Sequence, residues 1–173
     1  MAGWGSVIAI EAQERLFYCL AGNIALNNCF NARAIHAAVG GSDGVLDVPA
    51  LDFQTPSRFG SMELKKRSNP EFIGQTYGQA RATVPALRLD SLKLARVDLI
   101  KIDVEGMELE ALEGARATIE RCHPILTVEI IKVDRAHLTR VLEAMEYRVF
   151  QLDQINIVAI HRSDQTANRI KSG

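Results

Sequence analysis

Residues 98–115 read DLIKIDVEGMELEALEGA, and the reading of this stretch decides the fold. Leu99-Ile100-Lys101-Ile102 sits in an apolar run of strand length that spans about 98–104, and it leads at once into Asp103, Glu105 and Gly106. From Met107 to Arg121 the spacing predicts one helix, with Leu109, Leu112, Arg116 and Ile119 on one face. A strand buried on both faces that feeds a helix is a unit of a parallel sheet. Two carboxylates at its end are costly beside a core, because each ionised group loses water there. Either could complement the N-terminus of the following helix, with Gly106 making the turn. One suffices for that role, so the second points to a use outside the strand end.

The same pattern extends in both directions. Val7–Ile10 reads as a buried strand that stops at Glu11, and a helix follows over about 13–27 with Leu16, Leu20 and Ile24 on one face. Asn27-Asn28 closes it, since Asn tolerates a left-handed backbone. Ala34–Val39 is a second strand ended by Gly40-Gly41, and Thr83–Leu89 an edge strand that tolerates Pro85, followed by a capped turn at Asp90-Ser91-Leu92. After Pro124 comes a strand over 125–131. Asp134 then caps a helix whose Leu138, Val141, Leu142 and Met145 share a face. Two last strands, 147–152 and 155–160, pair around Asp153-Gln154. The alternation predicts an α/β fold, a mostly parallel sheet with a C-terminal antiparallel hairpin. Residues 1–160 are expected to form a single domain with a loop insertion at about 40–83, which holds short β segments over 44–48 and 61–64. Residues 161–173 read as a polar, frayed tail.

Composition narrows the function. In 173 residues, 24% are charged and the formal net charge is -1, which argues against a nucleic-acid groove. The cluster Lys65-Lys66-Arg67 is short and reads as a solvated loop. Cys19, Cys29 and Cys122 are odd in number and scattered, as befits reduced thiols in a cytoplasmic protein. No Cys or His pair has zinc-ligand spacing, so no structural metal is expected; the pair Asp103 and Glu105 could hold a divalent cation, which the sequence does not require. Residues 1–10 lack the basic start and apolar length of a signal peptide. No apolar run approaches the roughly 20 residues of a bilayer span, so no membrane partner is expected either.

Ligands of open α/β sheets sit outside the carboxyl ends of the strands, and Glu11, Asp103, Glu105 and Glu129 all fall there. An acid at the end of a second strand can accept both hydroxyls of a ribose. Glu11 could equally complement the first turn of its helix, and Glu129 could pair with a nearby Lys or Arg. His123, just before Pro124, reads as a surface turn residue.

Three blocks carry a family resemblance. They are Val7-Ile8-Ala9-Ile10-Glu11 with Ala38-Val39-Gly40, then Asp90-Ser91-Leu92 with Val97–Gly106 and Gly114-Ala115, then Pro124–Glu129. Over about residues 5–160 the chain resembles the FkbM-type methyltransferases. The resemblance implies a Rossmann-like class I methyltransferase sheet of order 3-2-1-4-5-7-6 and transfer of the methyl group of S-adenosylmethionine. The acceptor would be a hydroxyl of a small molecule or sugar. It also implies that Glu11 holds the ribose diol, that Ala12 and Ala37 border the adenine, and that Asp103 lies beside the methionine end of the cofactor and the incoming hydroxyl. Asp103 or Glu105, with Glu129 third, would take the hydroxyl proton. The family's first strand and glycine-rich turn have no counterpart here. The central place in the sheet is therefore expected to stand unfilled, with weakened cofactor binding and a tendency to homo-oligomerise. Two other readings are a receiver-like signalling domain that accepts phosphate on Asp103, and a non-catalytic fold that acts through protein contacts. Acceptor recognition is expected in the insertion, with Phe53, Phe59, Phe72 and Tyr77.

Overall fold

A computed structural model describes residues 5–65, 72–76 and 81–168. Its elements are strand β1 (Val7–Glu11), helix α1 (Glu14–Leu26), strands β2 (Ala32–His36), β3 (Ala38–Val39), β4 (Gly44–Pro49), β5 (Arg81–Leu87) and β6 (Leu99–Ile102), helices α2 (Glu108–Gly114) and α3 (Arg116–Cys122), strand β7 (Ile125–Glu129), helix α4 (Arg135–Ala144), and strands β8 (Tyr147–Gln151) and β9 (Asn156–His161).

The strands fall into three groups. β1 and β2 pair in parallel, from Val7 opposite Ala32 to Glu11 opposite His36. β6 and β7 pair in parallel, and β9 and β8 extend that sheet antiparallel, in the order β6-β7-β9-β8. Among the described residues no strand bonds to the second edge of β1 or of β6, and within each group the order, β2-β1 and β6-β7-β9-β8, is the one expected. The third group, β3-β5-β4, has only β4 wholly within residues 40–83, with β3 and most of β5 flanking them.

The main core lies under the β6–β9 sheet. Leu112, Ile119, Leu126, Val128, Leu138, Leu142, Tyr147 and Ile157 are fully buried in it. Burial of each large aliphatic side chain contributes about 1.5–3 kcal/mol. Tyr147 keeps its hydroxyl satisfied there by donating to the Pro124 carbonyl at 2.9 Å. A second cluster joins Ala38, Val48, Met62, Leu64, Ile73, Val84 and Met107 beneath the insertion, and Val104 touches both. By contrast α1 buries none of its residues, and Leu16, Leu20 and Ile24 are only half-buried.

Several caps match their sequence signals. Asp134 accepts from the Ala136 and His137 amides at 2.9 and 3.1 Å, Asn28 takes a left-handed φ of 52° after α1, and Asp153 accepts from the Ile155 and Asn156 amides between β8 and β9. Other expectations need correction. The strand predicted over 34–39 is two strands in two sheets, divided at Ala37, whose amide donates to the Glu11 carbonyl at 3.1 Å. β5 is the middle strand of its sheet, not an edge. β3 covers only Ala86 and Leu87, so Pro85 stands in a part that is open on that side. Residues 61–64 form no strand; a 3-10 turn over Phe59–Ser61 leads into irregular chain. The C-terminal residues are not frayed as far as 168, because a 3-10 turn over Gln165–Asn168 buries Ala167, whose carbonyl accepts from Arg148 at 2.8 Å. Residues 169–173, Lys66-Arg67 and Tyr77 lie outside the described residues. His123 is no simple turn residue. It ends α3 at a φ of 47° and stacks on His161 with ring centroids 3.6 Å apart.

The single helix predicted over 107–121 is broken at Ala115 into α2 and α3, and Arg116 faces solvent, not the core. Asp90 explains the break. Its carboxylate accepts from the Ala117 and Thr118 amides at 3.1 and 2.8 Å and from the Thr118 hydroxyl at 2.7 Å, which satisfies the new N-terminus. These bonds hold its carboxyl below the usual range against the opposing cost of burial. Gly114 permits the packing that follows, since a Cβ there would stand 2.0 Å from the Gly40 carbonyl oxygen. Both partners are backbone, so neither can swing aside. Gly114→Ala is therefore expected to destabilise the chain by about 1–3 kcal/mol or more, read as a lowered denaturant midpoint with unchanged slope. An unchanged midpoint would show that α2 can shift away from Gly40 at little cost.

Candidate functional site

A cleft opens at the carboxyl ends of β1, β2 and β6, with about 460 Å³ of empty space continuous with solvent. Glu11, Ala12 and Gln13 line it from the end of β1, Ala37 and Ala38 from the end of β2, and Asp103 and Glu105 from the end of β6. Gly60, Met62 and Leu64 of the insertion close it from a further side. The residues named for cofactor contact, Glu11, Ala12, Ala37 and Asp103, thus share one cleft.

Local bonding fixes the first wall. Glu11 accepts from the Gln13 amide through Oε1 at 2.7 Å, which sets its rotamer ahead of α1 and leaves Oε2 without a hydrogen bond among the described residues. Its carboxylate thus also serves the helix start. Gln13 is buried and donates through Nε2 to the Phe59 carbonyl, so this wall reaches the insertion. His36 at the end of β2 bonds through Nε2 to the Ala12 carbonyl at 3.0 Å and stacks on Phe17.

The acids of the second wall do not cap α2, contrary to one sequence expectation. That helix begins at Met107 without a side-chain cap, and it is Glu108 that accepts from the Gly106 amide at 3.0 Å. Asp103 and Glu105 turn elsewhere. Glu105 and Gly106 take successive positive φ values of 54° and 96°, a reversal that costs Glu roughly 1 kcal/mol or more. The turn brings oxygens of Asp103, Glu105 and Glu129 all within 4.8 Å of one another. A set of acids this close attracts a cation or holds a proton. Lys101 pairs with Asp103 in a largely exposed contact. Lys132, its side chain 4% exposed, lies 2.5 Å from Glu105 and 3.9 Å from the buried Glu63, and donates to the Ser61 carbonyl at 2.9 Å. Sequence reading gave neither Lys132 nor Glu63 a place in this site. Glu63 sits in the irregular insertion, and Lys132 follows a strand with no motif to single it out.

Glu129 accepts no hydrogen bond among the described residues. Burial first, then the charges of Asp103, Glu105 and Glu108, push its carboxyl up to about 7, with Lys132 opposing. That proton affinity suits proton transfer near neutrality. Of the aromatic residues proposed for the insertion, Phe53 and Phe59 stack on each other at 4.9 Å, while Phe72 is exposed.

The geometry can be set beside known proteins. The model of the methyltransferase FkbM domain matches residues 1–152. Among solved structures, the crystal structure of a methyltransferase FkbM from Methylobacillus flagellatus KT is similar at 16% identity and a TM-score of 0.59, over 90% of this chain and 36% of that one. This chain therefore spans little more than a third of that protein's length. At such identity the likeness bears on the fold, which is Rossmann-like. No curated protein matches.

Folded Glu129 keeps its proton up to about 7, whereas the ordinary value is 4.5, so between those values the folded state binds more protons than the unfolded chain. Its contribution to stability is full below the ordinary value and declines as pH rises through about 7. A carbon-13 titration of the Glu129 carboxyl is expected to centre near 7, and Glu129→Gln to flatten the decline in stability. A midpoint at the ordinary value would mean that the acids stand further apart in solution.

Proposed function

Since the chain belongs to the FkbM methyltransferase family, we propose that it binds S-adenosylmethionine in the cleft between β1 and β6 and directs O-methylation of a hydroxylated small molecule such as a sugar. The observation that carries this reading is the convergence of Glu11, Ala12, Ala37 and Asp103 on one cleft. These residues suit the group. Glu11 has its rotamer set by a backbone amide and an oxygen left over for a ribose diol. Ala12 and Ala37 are small enough to leave room for a flat base between the ends of β1 and β2.

S-adenosylmethionine, when bound, supplies a methyl group made electrophilic by its sulfonium. The chain's own task is to orient, to balance charge and to remove a proton. The acids at the ends of β6 and β7 give that wall a negative field matched to a cationic cofactor. Asp103 and Glu105 are already engaged by lysines, so Glu129 is the acid left to accept the hydroxyl proton. Its raised proton affinity makes it a base poised near neutral pH.

Calorimetric titration of S-adenosylmethionine into the chain is expected to show saturable binding. Glu11→Ala is expected to weaken it roughly tenfold or more, the cost of losing hydrogen bonds to a charged group. With radiolabelled methyl donor and a panel of hydroxylated acceptors, Glu129→Gln is expected to lower turnover about a hundredfold or more, with cofactor affinity almost unchanged. No heat of binding to the unaltered chain would overturn the cofactor assignment. Equal losses of affinity and turnover in Glu129→Gln would remove Glu129 as the base.

A further inference from the structure

The insertion closes the cleft with a segment that has little structure of its own. Between Phe59 and Leu64 there is one 3-10 turn, held internally by the Ser61 amide to Arg58 and the Met62 amide to Phe59. Met62 and Leu64 are nonetheless buried, and Gly60, Met62 and Leu64 line the cleft. Two buried polar side chains reach the segment from opposite walls. Gln13, beyond β1, donates to the Phe59 carbonyl, and Lys132, beyond β7, donates to the Ser61 carbonyl.

The second tether carries a charge. A buried ammonium persists only where it is paired and hydrogen-bonded. Lys132 meets this demand with one backbone carbonyl of the segment, one carboxylate of the segment (Glu63, 3% exposed) and one carboxylate of the site, Glu105 at 2.5 Å. The wall of the cleft and the acid cluster are therefore fastened to a single atom.

We propose that Lys132 is a positioning residue of this site: its ammonium pins residues 59–63 against the cleft and holds Glu105 beside Glu129. The use of this device in catalysis rests on the methyl-transfer reading above; its geometry does not. The groups that face Glu129 are Asp103 and Glu105 from the turn after β6, Glu108 from α2 and Lys132 from the turn after β7, while its strand partner on β9, Asn156, is neutral. Lys132 is the cation that offsets these acids at Glu129, while Lys101 of β6 pairs with Asp103 in a largely exposed contact. Without Lys132 the cleft wall loses a tether and Glu129 faces the acids with less compensation. The insertion then serves as more than an acceptor loop, since docking it and setting the charge balance are one event.

The test compares the unaltered 173-residue chain with Lys132→Met and Lys132→Arg by two measurements: amide hydrogen exchange of peptides over 58–64, with peptides of β7 and β9 as controls, and carbon-13 titration of Glu129. In Lys132→Met, exchange over 58–64 is expected to speed at least about tenfold while the controls hold, and the Glu129 midpoint to move away from that of the unaltered chain. Lys132→Arg, which keeps the charge and the donors, is expected to restore much of both. A folded Lys132→Met with unchanged exchange over 58–64 and an unchanged Glu129 midpoint would overturn the proposal. If Lys132→Met does not fold, Glu105→Gln decides. With the Lys132 bond to Ser61 intact, exchange should stay slow and the Glu129 midpoint should fall; an unmoved midpoint again overturns it. Failure of the unaltered chain to bind S-adenosylmethionine would instead overturn the methyl-transfer reading, and the exchange and titration results would stand apart from it.

Discussion

The constraint on which this site depends is like-charge crowding at the top of a parallel sheet. Asp103, Glu105 and Glu129 leave adjacent strands at their carboxyl ends, and the spacing of paired strands forces them together. Glu108 and Glu63 add two more carboxylates that are buried almost completely. Such a set cannot all ionise without compensation. The chain compensates with lysines at two of the acids and leaves the third, Glu129, holding a proton more tightly than an ordinary carboxyl.

That balance reaches outward into the fold. To bring Glu105 to Lys132 the backbone turns left-handed at two successive residues, which only a well-braced turn sustains. Lys132 in turn holds an irregular segment of the insertion in place, and that segment supplies apolar lining to a cleft whose other walls are strand ends. Because β1 and β6 share no ladder bond, the cleft is also where the two parallel groups of strands face each other. A cationic ligand seated there would add counter-charge to the acids and bridge the two groups at once.

Much of this was legible in the sequence. The apolar runs ending in Glu11, Asp103 and Glu129 placed three strands of the parallel groups, because continuous hydrophobic residues of strand length mark such strands, although β1 and the start of β6 are less buried than that pattern predicts. Asp134 and Asn28 named helix ends because their local chemistry is short-range. What failed was of another kind. The break at Ala115 depends on Asp90, which lies 27 residues from Ala117 and meets it only in the folded chain. The change of sheet at Ala37 and the central place of β5 follow from which strands come to lie side by side. Periodicity within one segment does not contain that information.

The sequence by itself determined the strand–helix alternation, the acids at the strand ends and the family to which the chain belongs, because these are written in local patterns of polarity and spacing. Only the tertiary structure decided what each acid does. Glu11 braces a helix start, Asp103 and Glu105 pair with lysines, and Glu129 keeps its proton. Proton affinity is a sum over charges and burial contributed by distant segments, and those distances exist only once the chain has folded.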